Sequence, residues 1–188
     1  ILQAPDYDPA ASAAMNYGGI GATIGHEISH SFDDTGAQFD ARGRLRNWWT
    51  PADLKQFQAA GEALALQFDG YQPFADLAVN GHQTLGENIA DLAGLAAAYD
   101  AYRAANGGRE PAAIDGFSGD QQFFLSYAQS WCDYVRPEAL RQRLVGDGHA
   151  PDRYRALTVR NLDAWYAAFA LKPADKLYLA PDQRVRIW

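Results

Sequence analysis
The stretch "GATIGHEISHSFDD", residues 21 to 34, carries two histidines four positions apart, with a glutamate directly after the first. In a helix, at about 100° per residue, His26 and His30 project from nearly the same side, so their imidazoles can converge on one ion at roughly 2.0 to 2.1 Å. Glu27 sits on the flank of that face. Ile20, Ile24 and Ile28 recur on the opposite side, where they are expected to pack against a core and turn the histidines toward a cleft. The chemistry served by this spacing is metal-assisted hydrolysis. Neutral imidazoles hold zinc, a water completes the open coordination sphere, and the adjacent carboxylate takes its proton as it attacks a carbonyl. The bland alternative is a polar stripe that binds nothing. A chain with only four histidines that sets two of them around a glutamate in this register favours metal.

Two histidines leave a third ligand to be found. The segment "TLGENIADLAGLAAA", residues 84 to 98, offers Glu87 and Asp91 one turn apart on one face of a long helix. Ala90, Gly94 and Ala98 lie on that face and are small enough to let another helix come close. Leu85, Ile89, Leu92 and Tyr99 make an apolar stripe on the other side, so the helix reads as buried on more than one face. Carboxylates on a buried face are costly unless a cation or hydrogen-bond donors compensate them. On this segment alone two readings of Glu87 stand: a metal ligand, or the glutamate of a Thr84-x-x-Glu87 capping box that satisfies a backbone N–H. If zinc is held here, Asp91 has a natural task in accepting the far ring N–H of a ligand histidine and fixing its tautomer.

The bulk properties narrow the remaining possibilities. A chain of 188 residues with 48% hydrophobic and 21% charged side chains has the composition of a single domain, residues 1–188, with a sizeable core. Acidic residues outnumber basic ones 23 to 16, the net charge is -7, and no Lys/Arg run offers the positive stripe that nucleic acid requires. No apolar segment reaches the roughly 18 to 20 residues that span a bilayer, and "ILQAPDYDPA" has neither the charged nor the apolar region of a signal peptide. The chain as given therefore reads as soluble, and its beginning at Ile1 leaves room for a processed or longer parent. The lone Cys132 excludes an internal disulfide framework and a cysteine-based zinc site; following Trp131, it is expected to be a small buried hydrophobe.

Periodicity predicts helices over residues 17–32, 51–68, 84–105, 119–134, 137–145 and 161–170, with Thr50-Pro51 as a helix start. "QFDARGRLRNWW" suggests a short hairpin turning at Ala41 to Gly43, "LAVNGH" a short extended piece, and "KLYLAPDQRVRIW" an extended terminus. His82 reads as a loop residue.

Taken in order along the chain, these motifs resemble the neprilysin-type zinc metallopeptidases, which include endothelin-converting enzymes and bacterial oligopeptidases. "NYGGIGATIGHEISHSFDD" is similar to their active-site helix and "TLGENIADLAGL" to their third-ligand helix. "FFLSYAQSWC", "RPEALR", "GDGHAPDRYR" and the terminal "RIW" are similar to their later segments. The resemblance implies that His26, His30 and Glu87 hold one Zn2+ per chain, that Glu27 is the general base, and that Asp91 orients a ligand histidine. It further implies that His149 stabilises the oxyanion with Asp147 as its acidic neighbour, that Arg155 binds a substrate carbonyl, and that Trp131 walls the pocket for an apolar side chain. Read without it, His149 is a solvated loop histidine, Arg155 a surface ion pair and Trp131 a core aromatic. The implied fold is the C-terminal part of a thermolysin-like (gluzincin) catalytic domain, mainly α with a few short strands. The implied function is endopeptidase or oligopeptidase activity on short peptides, in an extracytoplasmic setting.

Family members are several times longer, and their helical lid and the Asn-Ala edge strand that holds substrate have no counterpart in this sequence. A second expectation therefore stands beside the first: a zinc-binding helical fragment, catalytically silent without the upstream part of the same protein. A thermolysin-like peptidase of another family is a third, opposed by "NIADLAGL" and "RIW". Val185 stands where many animal members have a cysteine, and Cys132 where those members bond to an upstream segment, so their disulfide scheme does not transfer.

Overall fold
A computed structural model describes residues 1–188. Its first helical segment is composite. α1 (Ala13–Asn16) starts where the Ser12 side chain accepts the Met15 N–H, passes into a π-helical turn (Tyr17–Gly21), and continues as α2 (Ala22–Ser29) and a closing 3-10 turn (His30–Phe32). The expected helix is thus present, starts earlier, and contains a π turn that periodicity did not reveal. α3 (Pro51–Asp69) begins as expected, with Pro51 in its first turn and the Thr50 hydroxyl accepting the Asp53 N–H. α4 (Leu85–Ala105) follows after a loop. α5 (Gly119–Ser130) opens with a reciprocal Ser118–Gln121 capping box and stops at Trp131, short of the expected residue 134. α6 (Pro137–Gly146), a short α7 (Asp152–Arg155), a 3-10 stretch (Ala156–Asn161) and α8 (Asp163–Phe169) complete the chain, α8 ending at Ala170 in the left-handed conformation with φ 51°.

The fold is mainly helical, as expected. Its extended pieces are reduced to isolated antiparallel bridges, Phe39 with Leu45, Phe74 with Leu77 and Ile114 with Phe117. The expected turn at Ala41 to Gly43 is made: Gly43 takes φ 69° and the Asp40 carboxylate accepts the N–H groups of Arg42 and Arg44. The pairing is minimal: the Asp40 N–H donates to the Arg44 carbonyl and the Arg46 N–H to the Gln38 carbonyl about the single Phe39–Leu45 bridge, and the ladder extends no further. The terminal "KLYLAPDQRVRIW" joins no strand and holds a 3-10 turn at Pro181–Gln183.

α4 is the axis of the core. Asn88, Ile89, Ala90, Leu95 and Tyr102 are completely buried, and Asp91, Leu92, Gly94 and Ala98 nearly so. A helix buried on all sides shows little amphipathic pattern, and its neighbours close round it: α2 on the Asp91–Gly94 side, α3 and α5 elsewhere. One cluster of 24 buried hydrophobic residues runs through these helices, with Tyr102, Phe123 and Phe124 stacked and edge-packed at its centre.

The isoleucine stripe of α2 corrects an expectation. Ile24 is 51% exposed and Ile28 62% exposed, so this stripe faces solvent rather than a core. The physical reason is that α2 must present His26 and His30 to α4, which carries the carboxylates. The residues on that side, Ala22 and Gly25, make the contact and the isoleucines are rotated outward. Cys132 is likewise exposed rather than buried.

Truncating the axis should be costly. Leu95→Ala, at a position with 0% exposure, is expected to lower unfolding free energy by about 2 to 5 kcal/mol in denaturant titration; an unchanged midpoint would show that α4 is not the centre of the core.

Candidate metal centre and active site
α2 and α4 bring three donor groups to one point. His26 Nε2 lies 3.2 Å from Glu87 Oε2, His30 Nε2 lies 3.6 Å from Glu87 Oε1, and the two Nε2 atoms are 3.0 Å apart. Ligands about 2.0 to 2.1 Å from a tetrahedral ion stand roughly 3.3 Å from one another, so these separations fit one ion shared by all three. The donor chemistry fits as well: two imidazoles and a carboxylate form a borderline set that suits zinc. The capping-box reading of Glu87 is not realised. The Thr84 hydroxyl donates to the Asn80 carbonyl and accepts from Asn88, and it makes no cap bond, which leaves Glu87 free to turn toward the histidines.

Both histidines are fixed from behind. His26 Nδ1 donates to Asp91 Oδ1 at 2.8 Å, as expected for that carboxylate. His30 Nδ1 donates to Asp33 Oδ2 at 2.7 Å, a partner the sequence reading missed. Asp33 is itself immobilised, its Oδ1 accepting the N–H groups of Thr35 and Gly36 at 2.9 and 2.6 Å. The available signal was the pair Asp33-Asp34 three and four residues beyond His30, within reach of an i, i+3 bond. Holding the far nitrogen of each imidazole leaves both Nε2 atoms aimed at the same spot.

Asp91 is 3% exposed and is answered by Arg155, whose Nε and one terminal nitrogen each reach it at 2.8 Å; the same nitrogen lies 3.3 Å from Glu87 Oε2. Arg155 is 7% exposed, so it is neither a surface ion pair nor simply an arm reaching for substrate, but the counter-charge of the centre. Its guanidinium stacks on Trp131 at 4.3 Å from the ring centroid. Trp131 is half-buried, and its indole nitrogen is buried without a partner.

Burial works against a charge on His26, but its hydrogen bonds to the Asp91 and Glu87 carboxylates outweigh it and lift its pKa from 6.5 to about 9. For Glu87 burial pushes upward, and the His26 hydrogen bond with the charges of His149 and Arg155 brings it below the usual carboxylate range. Without a metal, a proton on His26 balances the two carboxylates.

His149 approaches from the loop after α6. Its Nε2 is 3.2 Å from Glu87 Oε2, and its Nδ1 and backbone N–H both bond to Asp147 Oδ1, at 2.7 and 3.0 Å. Those bonds hold the Asp147 carboxyl low. The loop is tied to the start of α4 by Gln83, whose amide donates to the Asp147 carbonyl at 2.6 Å. A cavity of about 240 Å³ opens over the centre, lined by His26, Glu27, Asp91, Trp131, His149 and Arg155 among others. Glu27 is exposed on its wall. Thus all nine expected site residues gather in one region; His82 stands apart, opposite Glu62 at the surface. A second cavity, about 630 Å³, lies against Trp49, Phe57, Leu85 and Ile89, and none of the donor residues lines it.

Two imidazoles and a glutamate on neighbouring helices, with a free carboxylate beside the first imidazole, are the donor set and spacing of the gluzincin class of metallopeptidases. The sequence pattern of Peptidase family M13 matches residues 1–185, and the chain belongs to that family. It is 44% identical to the neutral endopeptidase of Lactobacillus helveticus and 38% identical to human endothelin-converting enzyme 1, in both cases over 100% of this chain, but over 27% and 24% of theirs. Among solved structures it resembles the zinc metalloprotease Zmp1 of Mycobacterium tuberculosis in complex with inhibitor, with a TM-score of 0.97, 45% identity, and coverage of 100% of this chain and 30% of that one. It also resembles PepO of Lactobacillus rhamnosis, with a TM-score of 0.87, 43% identity, and coverage of 100% and 28%. The chain therefore spans between 24% and 30% of the length of these relatives.

Because zinc must displace the His26 proton, its apparent affinity should rise about tenfold per pH unit until the proton is gone. That point is near pH 9, where His26 titrates. In the metal-free chain the same shift contributes stability that is whole below 6.5 and lost as the pH rises through about 9, so zinc and proton stabilise opposite ends of that window. Chelator competition across this range checks it; an affinity independent of pH would mean that His26 is not protonated in the metal-free state.

Proposed function
We propose that this chain is the zinc-binding part of an M13 endopeptidase that hydrolyses short peptides, with one Zn2+ per chain on His26, His30 and Glu87. The observation that carries the reading is the convergence of those three donors within 4.8 Å of one another beneath an open cavity. When bound there, zinc supplies Lewis acidity that lowers the pKa of water and polarises a carbonyl.

The chain's own residues do the rest. Glu27, next to His26 and on the cavity wall, accepts the proton of the attacking water and returns it to the leaving amine. His149, backed by Asp147, donates toward the developing oxyanion. Arg155 anchors the centre through Asp91 and keeps its remaining N–H groups for a substrate carbonyl, and Trp131 flanks the space for an apolar side chain. Oligopeptides are the substrate class this supports. An extracytoplasmic location belongs to the same proposal, and no helix of the chain is long and apolar enough to cross a membrane.

Residues 1–188 on this reading form the C-terminal portion of a catalytic domain. The exposed Ile24 and Ile28 support a second possibility for the isolated chain: that it binds zinc but turns over no peptide until the upstream part of the same protein covers that face. Zinc content and turnover, measured for the isolated chain and for the full protein, separate the two.

Glu27→Gln is expected to keep stoichiometric zinc in the full protein and abolish cleavage of a quenched fluorescent peptide; persistent cleavage would remove Glu27 from the mechanism. His149→Ala should retain zinc and slow turnover by roughly 100- to 1,000-fold. Release of the metal would instead make His149 a ligand.

A further inference from the structure
The two ligand-bearing helices touch through bare backbone at a single crossing. A Cβ built on Gly25 would lie 2.5 Å from the Gly94 carbonyl oxygen and 2.9 Å from its Cα. A Cβ built on Gly94 would lie 2.7 Å from both the Gly25 carbonyl carbon and the His26 Cα, and nearer still to the His26 nitrogen. Every obstructing atom is main chain within a helix, so no rotamer change relieves the overlap.

Carbon atoms not bonded to each other settle at roughly 3.5 to 4.0 Å, and one methyl at either position would drive α2 and α4 apart by on the order of 1 Å. The crossing is also placed where such a shift is felt. Gly25 is the residue before His26, and Gly94 lies one turn beyond Asp91 and two turns beyond Glu87. His26 and Glu87 now stand 3.2 Å apart across it, and His26 and Asp91 2.8 Å apart. A metal site tolerates donor displacements of about 0.2 Å.

We propose that Gly25 and Gly94 are positioning residues for the metal centre: their backbone contact is the spacer that fixes the separation of the helix bearing His26 and His30 from the helix bearing Glu87 and Asp91. The proposal rests on the zinc reading above and adds to it what sets the geometry. It distinguishes this crossing from another of the same kind. A Cβ on Gly18 would meet the Phe123 carbonyl group of α5, at 2.9 Å from its carbon, and that contact joins no pair of ligand helices.

The test sets Gly94→Ala and Gly25→Ala against Gly18→Ala in the full chain, with zinc affinity measured by chelator competition and the visible spectrum of the cobalt(II)-substituted protein recorded for each. All three should melt at lower temperature than the parent. Only the first two should lose zinc affinity, by about 10- to 100-fold as for other groups that orient ligands, and show an altered cobalt spectrum, while Gly18→Ala keeps the parent's values. A folded Gly94→Ala or Gly25→Ala protein that binds zinc as the parent does overturns the spacer, as does an equal loss in Gly18→Ala. Failure of both alanine variants to fold also overturns it, since the contact would then serve packing at large. A parent that binds no zinc would sink the zinc reading itself, a result distinct from all of these.

Discussion
Asp91 is a carboxylate held almost wholly out of water, and the elements that build the site meet on it. Removing an ionised carboxylate from water costs several kcal/mol unless partners replace its hydration. Here the Arg155 fork from α7 supplies two charge-assisted bonds at 2.8 Å and His26 from α2 supplies a third. The arrangement ties α2, α4 and α7 into one assembly, in which directional hydrogen bonds to Asp91 act together with the close packing of α2 on α4. Loss of a single partner would leave a buried charge uncompensated, which is why the site and the core around α4 stand or fall together.

The same constraint explains the shape of α2. A helix that must aim two imidazoles at a neighbour cannot also bury its bulkiest side chains against that neighbour. Ala22 and Gly25 therefore take the interface and the isoleucines take the outside. Asp33 completes the support from just past the helix end, where the 3-10 turn tightens the chain enough for its carboxylate to come back under His30. The π turn at Tyr17–Gly21 sits at the other end of α2. The histidine helix is thus irregular at both ends, π-helical over Tyr17–Gly21 and 3-10 from His30 onward, whereas α4 is regular throughout.

Much of this was legible in the sequence, and the illegible parts share a cause. Helix periodicity and the Thr50-Pro51 start located α3 to within a residue, and the convergence of His26 and His30 is legible because an i, i+4 approach is a property of one helix. Glu87 was ambiguous because Thr84-x-x-Glu87 satisfies a capping pattern equally well; only the packing of α2 against α4 shows which way the carboxylate turns. Asp33 was missed for a similar reason, as a loop carboxylate acquires its partner only once the loop folds back. The isoleucine face was misjudged because period alone identifies an apolar side of a helix without saying which side the rest of the molecule will cover. The bond of Arg155 to Asp91 was illegible because it joins two elements 64 residues apart.

The charge balance of the centre follows from these placements. Glu87 Oε2 is approached by nitrogens of His26, His149 and Arg155 at 3.2, 3.2 and 3.3 Å. Their combined pull holds the carboxyl below the usual carboxylate range although burial opposes it, and a deprotonated carboxylate is what a zinc ligand must be. Arg155 alone cannot neutralise both Glu87 and Asp91. The remaining positive charge must sit between them, and His26 is the group placed to carry it as a proton. That proton occupies the Nε2 position through which His26 would bind a metal, so the metal-free centre is held in nearly the geometry of the loaded one by a smaller charge at the same place. Exchange of proton for metal then needs little movement of helices whose spacing is already fixed by main-chain contact.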